Sequence, residues 1–408
     1  MRKASATPYT PQRSLRPQRK VFSAIFVCSA VIVTSLFWPQ RLLSHETLTT
    51  TVLFDREIVR ILDKHCVMCH VEDGPSFPLM TYEQTWVQGR KIRGDVLARH
   101  MPPWAAVQGY GQFANDNSLT LRETQFIVSW VEGLGPRNAG TVFTNVVSSG
   151  ARPAALRAHV DFGVWQLGEP DLKRQLSAAT IASGQANDIK RTVIDLELKE
   201  ARRVRALEFM PGDRRVVRAA FFTVQETGQW LGSWTPWYGL VKLPSGSAYR
   251  LPAGSHIVAE IHYRGTNEQV VERGTLGVYF ADQATPRSVT DLVLEPKALG
   301  ADQSGADRGA VTKLRAEARL TADTYAWALR PEIPGGVQSI EVSARTPTGG
   351  TDILLFAKDF STDWPTPFIL ATPVLLRKGT TVSVTAYYSS AATSPPAPPP
   401  MRLTISRY

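Results

Sequence analysis

Cysteine is scarce in this 408-residue chain: there are three, and none follows Cys69. A disulfide scaffold is thereby excluded for everything downstream. A Gly-rich phosphate loop and a nucleophile–base constellation are also missing; Pro244-Ser245-Gly246-Ser247 is only a turn. The formal charge of +10 does not form a stripe. Arg2, Lys3, Arg13, Arg16, Arg19 and Lys20 carry much of it, in residues 1–20, where no acidic residue stands. The remaining basic residues are scattered, which excludes a nucleic-acid partner.

Charge is absent altogether from Val21 to Trp38. That run exceeds the usual signal-peptide core of about 7–15 residues and approaches the lower limit for a spanning helix. No small-x-small cleavage signal follows, since Pro39, Gln40 and Arg41 come next, and Cys28 lacks the preceding small residue of a lipoprotein signal. The expectation is a basic cytoplasmic tail (1–20) and a single-pass anchor (21–38) in a bacterial inner membrane. The rest would lie in the periplasm. A cleaved signal peptide is the alternative.

What is present is Cys66-Val67-Met68-Cys69-His70. Two thiols three positions apart can form thioethers with the two vinyl groups of one porphyrin, and the next residue can ligate its iron. A structural zinc site would need two more soft ligands, and no second cysteine pair exists. A thioredoxin-like redox pair would not require the histidine. One covalent haem c on Cys66 and Cys69, with His70 as proximal ligand, is therefore expected.

Three amphipathic helices are predicted around this motif. Phe54, Ile58, Ile61 and Leu62 make one apolar face leading into Cys66; Tyr82, Trp86, Val96 and Leu97 mark a second helix, softened by Gly89 and Gly94. Thr120 and Glu123 form a capping-box pair ahead of Phe126, Ile127, Trp130 and Val131, and Gly135-Pro136 ends that helix. Met101 opens Met101-Pro102-Pro103-Trp104, whose prolines hold the backbone extended. Met101 is the expected distal iron ligand, with His100 and Met80 as competitors, and Trp104 is expected over a porphyrin edge. His65 is expected to face solvent or the propionate side.

After Pro136 the composition shifts. Short Val-, Ile-, Leu-, Thr- and aromatic-rich runs, such as 257–263, 276–280, 339–344, 353–357 and 381–388, alternate with turn residues. That spacing predicts β-sandwich structure. Ser394–Pro400 is Pro-rich and expected to be extended. His159 and His256 are expected in solvated turns.

The order of haem motif, Tyr82-Glu83, Arg99-His100-Met101-Pro102-Pro103-Trp104, Asn117-Ser118-Leu119-Thr120 and Trp130-Val131 resembles a bacterial cytochrome c domain. In the family concerned, that domain is fused to a copper type II, ascorbate-dependent monooxygenase-like module. Gly168-Glu169-Pro170-Asp171, Arg214-Arg215-Val216-Val217, Trp234-Thr235-Pro236, Leu251-Pro252-Ala253-Gly254 and Ile261-His262-Tyr263 resemble the module in the same order. Such modules, similar to peptidylglycine hydroxylating monooxygenases, are two jelly-roll-like sandwiches with one copper on each. The resemblance implies a His-His pair where this chain has Arg218-Ala219, and Pro-His-x-His where it has Pro331-Glu332-Ile333-Pro334. His262 would be a vestigial copper ligand, and one imidazole cannot hold the metal.

The expected fold class is thus multidomain: an N-terminal transmembrane helix, an all-α cytochrome c haem domain (46–137), then all-β tandem jelly-roll-like sandwiches (150–284 and 285–408). The expected function is single-electron transfer by a membrane-anchored periplasmic c-type cytochrome with redox protein partners. Its copper-less β region would dock a partner or bind a small apolar ligand. The alternative is a haem-containing, copper-dependent monooxygenase or oxidase.

Overall fold

The computed structural model describes residues 50–138, 163–282, 284, 287–298, 312–361, 363–388 and 401–408. The uncharged run Val21–Trp38, His159 and the stretch 394–400 lie outside the described residues. Strands dominate what is described. The α-helices are short: α1 (Val59–His65), α2 (Tyr82–Val87), α3 (Gly89–Leu97) and α4 (Leu121–Glu132).

The first sandwich faces two sheets. One orders Leu172–Gln175, Thr275–Phe280, Arg202–Met210, Ser247–Leu251 and Arg287–Ser288, and the other orders Asp188–Asp195, His256–Tyr263, Val217–Val224 and Trp230–Trp234. The second sandwich pairs Thr290–Leu294, Arg402–Arg407, Thr324–Glu332 and Phe368–Leu376 in one sheet. Its other sheet is Lys297–Ala298, Thr312–Arg319, Thr381–Tyr388, Val337–Arg345 and Thr351–Lys358. Burial along His256–Tyr263 alternates strictly, as period-2 patterning requires of a strand with one buried face. The two sandwiches share apolar packing: Trp230 of the first lies parallel to Trp327 of the second, ring centres 6.4 Å apart.

Two parts of the expected fold class are corrected. Among the described residues no helix is long and apolar enough to cross a membrane. The longest has 12 residues against the roughly 20 that spanning requires. The transmembrane element and the single-pass inner-membrane placement are therefore unsupported. Nor do the helices form a separate all-α cytochrome domain, because Thr49–Tyr408 is one compact unit.

The physical reason lies between α3 and α4. Thr351–Lys358 and Phe368–Leu376 are edge strands of the two sheets of the second sandwich, and each carries backbone groups that need partners. Residues 105–115 supply them. Val107 N donates to Phe356 O (2.8 Å) and Lys358 N to Ala105 O (2.9 Å) on one edge; Ala114 N donates to Ile369 O (2.7 Å) and Ala371 N to Gln112 O (2.9 Å) on the other. Asn115 reinforces the second edge, donating from Nδ2 to Pro367 O (2.7 Å) and accepting from Ile369 N (2.9 Å). Trp104 therefore packs edge-on against Phe368 and Phe113, at 5.2 and 5.8 Å, as part of this seam.

The helical packing follows the sequence more closely. Phe54, Ile58, Ile61 and Leu62 are buried together with Ile127, Trp130 and Val131. The capping box at Thr120 is present, with Glu123 N donating to Thr120 Oγ1 (3.1 Å) and Thr120 N to Glu123 Oε2 (2.8 Å). Phe54–Ile58 winds as a π-helical turn before α1, and the second predicted helix breaks at Gln88 into α2 and α3.

Phe368 is buried at the centre of the seam. Phe368→Ala is expected to destabilise the protein by about 3–5 kcal/mol in urea unfolding, the range for a deleted core aromatic. A loss below about 1 kcal/mol would show that this ring is not what holds the seam.

Candidate functional site

Helix α1 delivers its last turn straight into the thiol motif. Cys66 N donates to Leu62 O (2.8 Å), and Cys69 N and His70 N both turn back to Cys66 O (3.0 and 2.9 Å). Val67 points into the helical core and is fully buried. A Cβ at Gly74 would collide with the Cys69 carbonyl, so only glycine lets the loop to Phe77 pass this close.

Cys66, Cys69, His70 and Met101 line one cavity of about 440 Å³, within the roughly 300–1,000 Å³ typical of ligand pockets. Its far wall comes from the sandwiches: Arg218 and Arg264 from the first, Asp363 and Trp364 from the second. The two competing distal ligands stand elsewhere. His100 is exposed, 3.9 Å from Asp95, and Met80 packs against the helical core.

The donor chemistry suits a tethered porphyrin. Both cysteines are free. Burial pushes each thiol up to about 12, further raised at Cys66 by the Cys69 and Glu123 charges and opposed at Cys69 by Arg214 and Arg218. Such thiols are neutral at physiological pH, unlike the activated thiolate of a redox pair. Burial also lowers the His70 pKa, against the opposing hydrogen bond to Phe77, so the imidazole is neutral. Its Nδ1–H donates to Phe77 O (2.8 Å), which leaves Nε2 as a lone-pair donor. Phe77 also packs edge-on against the ring at 4.7 Å.

His65 is corrected relative to the sequence reading. It is buried, with Nδ1 at 3.2 Å from Asn117 O and Nε2 at 3.2 Å from Glu123 Oε1. It clamps α1 to the start of α4. Burial would raise the Glu123 carboxyl, but hydrogen bonds from Thr120 and Lys64, with the His65 charge, hold it down at about 2.

His262 lies on the strand that faces Ala219, and it too meets a carboxylate: Nε2 donates to Glu260 Oε1 (3.2 Å). Arg191 binds the other Glu260 oxygen at 2.8 and 2.6 Å, and Arg330 stands 3.8 Å from Oε1. The hydrogen bond from His262, then the two arginines, hold Glu260 down at about 2 despite burial. Among the described residues no three His, Cys, Asp or Glu side chains gather to hold a metal ion. The only metal expected from the sequence is the iron of a haem; His262, read as a vestigial copper ligand, is part of an ion-pair network. His256, expected in a solvated turn, instead opens the strand His256–Tyr263, half-buried, with Nδ1 2.8 Å from Glu226 Oε1. A second cavity of about 740 Å³, between the sandwiches, contains His262 and shares Met101, Arg218, Asp363 and Trp364 with the first.

Sequence reasoning missed the sandwich-derived wall. Arg218 was visible only as a departure from a histidine pattern, while Arg264, Asp363 and Trp364 carried no local signal. The Glu260-Ile261-His262 spacing places Glu260 and His262 on one strand face and could have flagged their pairing.

No protein-family model matches this chain, and no curated protein does. Solved structures resemble it faintly. An allantoicase has 10% identity and a TM-score of 0.17, covering 53% of this chain and 77% of its own. A Paenibacillus xanthan lyase has 11% identity and a TM-score of 0.16, covering 57% and 25%. The PBSX exported protein XepA has 11% identity and a TM-score of 0.17, covering 61% and 98%. Similarity at this level carries no argument about fold or function.

Glu123 gives a test of the clamp. Its folded pKa of about 2 lies below the ordinary 4.5. The stability it contributes is therefore fully present above pH 4.5 and lost as pH falls from there through 2. Glu123→Gln is expected to cost about 1–2 kcal/mol at pH 7 and to flatten the decline of melting temperature across that acid window. An unchanged acid limb would remove Glu123 from the clamp.

Proposed function

We propose that this protein is a single-electron carrier in which Cys66 and Cys69 would tether one haem and His70 and Met101 would ligate its iron. The observation that carries the reading is the convergence of both thiols, His70 and Met101 on one cavity. When bound, the haem supplies one-electron chemistry by cycling its iron between the ferric and ferrous states.

The chain's own residues then set the conditions. The Phe77 carbonyl fixes the His70 tautomer and ring orientation, and its hydrogen bond makes Nε2 a better donor. Met101 approaches from the turn after α3, held between Pro102 and the end of that helix, where Met101 N donates to Asp95 O (3.3 Å). A thioether ligand and an apolar surround both favour the reduced state, so a positive-potential carrier is expected. Supporting the carrier reading over a copper-dependent monooxygenase, Arg218, Ala219, Glu332 and Pro334 stand where the resemblance would place imidazoles.

Covalent attachment is tested by acid-acetone extraction. Wild type is expected to retain its haem, and Cys66→Ala with Cys69→Ala to release all of it. Extraction of all wild-type haem would remove the assignment. Met101→Ala is expected to abolish the weak far-red ferric band of a thioether–iron bond and to lower the midpoint potential. Retention of that band in Met101→Ala, with its loss in Met80→Ala, would move the ligand to Met80.

A further inference from the structure

One partly buried cation of the first sandwich reaches into the thiol motif. Arg214 stands in the turn between the strands Arg202–Met210 and Val217–Val224. Its Nη2 donates to Met68 O at 2.8 Å, inside the loop that joins Cys66 to Cys69. Cys69 N and His70 N close that loop on Cys66 O, and Met68 O accepts from the sandwich. Burial lowers the Arg214 pKa to about 10, against the attraction of the Cys69 and Asp73 positions, so the side chain is cationic at neutral pH.

The turn that presents Arg214 is braced from behind. Gly212 N donates to Glu272 Oε1 (2.9 Å), and Tyr263 Oη donates to Oε2 of the same fully buried carboxylate (2.7 Å). A Cβ at Gly212 would come within 2.5 Å of the Arg273 carbonyl oxygen, so glycine is what lets the turn close there. Asp213 accepts from Arg215 N (2.9 Å) and from Arg215 Nε and Nη2 (3.0 and 2.6 Å), while Glu268 takes Nη1. Of the two arginines in the turn, Arg215 is thus neutralised within the sandwich and Arg214 crosses to the helical layer. A side chain held this way keeps its geometry because the backbone that supports it is itself bonded.

We infer that Arg214 is a positioning residue of the haem site: acting through the Met68 carbonyl, it holds the loop between the two thiols in the conformation that brings Cys66, Cys69 and His70 to one cavity. The inference rests on the proposed haem tether and deepens it, because a residue of the first sandwich then sets the geometry of attachment. A guanidinium on a carbonyl makes a charge-assisted bond, roughly twice as strong as a neutral one. The same fixed cation, beside the tethering thiols, favours the reduced state, which carries one positive charge fewer.

The test compares full-length protein carrying Arg214→Met, Arg214→Gln, Arg214→Lys and, as a control, Arg174→Met. Arg174 makes an equivalent bond inside the first sandwich, Nη2 to Leu196 O at 2.8 Å, so its loss removes the same charge and a like contact without touching the motif. Thioethers per haem by mass spectrometry, amide exchange of residues 66–70, melting temperature and midpoint potential are measured. Arg214→Met is expected to speed exchange in 66–70, to convert part of the doubly tethered haem to singly tethered haem, and to move the potential negative. Arg214→Lys should restore most of each, and Arg174→Met should lower the melting temperature while leaving the other three unchanged. Should Arg214→Met fail to fold, Arg214→Gln carries the test, since it keeps a neutral donor and loses the charge: its potential should move negative. Folded Arg214 variants with wild-type exchange, thioether count and potential would overturn the positioning role and leave the tether standing. So would an Arg174→Met that matches Arg214→Met in all readouts, because general loosening would then explain both. Absence of covalent haem from wild type would instead overturn the tether, and the positioning role with it.

Discussion

The structure turns on the seam where residues 105–115 close both open edges of the second sandwich. Every backbone hydrogen bond there satisfies a group that would otherwise be exposed on an edge or lost to water. Because the seam lies between α3 and α4, it fixes both ends of the helical layer at once. Met101 sits just before it and Asn117, which receives His65, just after. On the opposite side Arg214 Nη2 donates to Met68 O (2.8 Å) inside the thiol motif. The motif is thus held between two sandwiches, and the cavity it lines takes its shape from all three layers.

That arrangement sets the electrostatics of the cavity. The thiols and His70 are driven toward their neutral forms by burial, while Arg218 remains a cation. Arg264 is neutralised by Asp363 at 2.6 Å. Among Lys91, Asp95, Arg218, Arg264 and Asp363, the charged side chains that line the cavity, cations outnumber carboxylates by one. Around His262 the balance is different, since Glu260 is matched by two arginines and an imidazole. The two cavities share a wall that includes Met101, Arg218, Asp363 and Trp364.

Much of the local structure was legible in the sequence, because local rules decided it. The apolar face of Phe54, Ile58, Ile61 and Leu62, the Thr120–Glu123 capping box and the strands around 257–263 and 381–388 all follow from periodicity or from one short side-chain-to-backbone bond. The thiol motif and Met101 were found from composition and spacing, and the fold brings them to one cavity. What sequence could not show was long-range. His65 looks like a helix-end residue until Asn117 and Glu123 arrive from 52 and 58 positions away. The independence of the helical layer was misjudged for the same reason, since its partners are edge strands more than 240 residues downstream.

Arg218 shows why a departure from a pattern can be more informative than a match. Reading the position as a missing imidazole describes only what the chain does not do. An exposed arginine there would add little, because water would satisfy it. The chain instead commits an insertion in the strand register, an aromatic plate at Trp364 and the burial of a charge to this one side chain. Those costs are borne in the folded state by neighbouring packing. The β region therefore forms part of the wall around the thiol motif and is not an attached module apart from it.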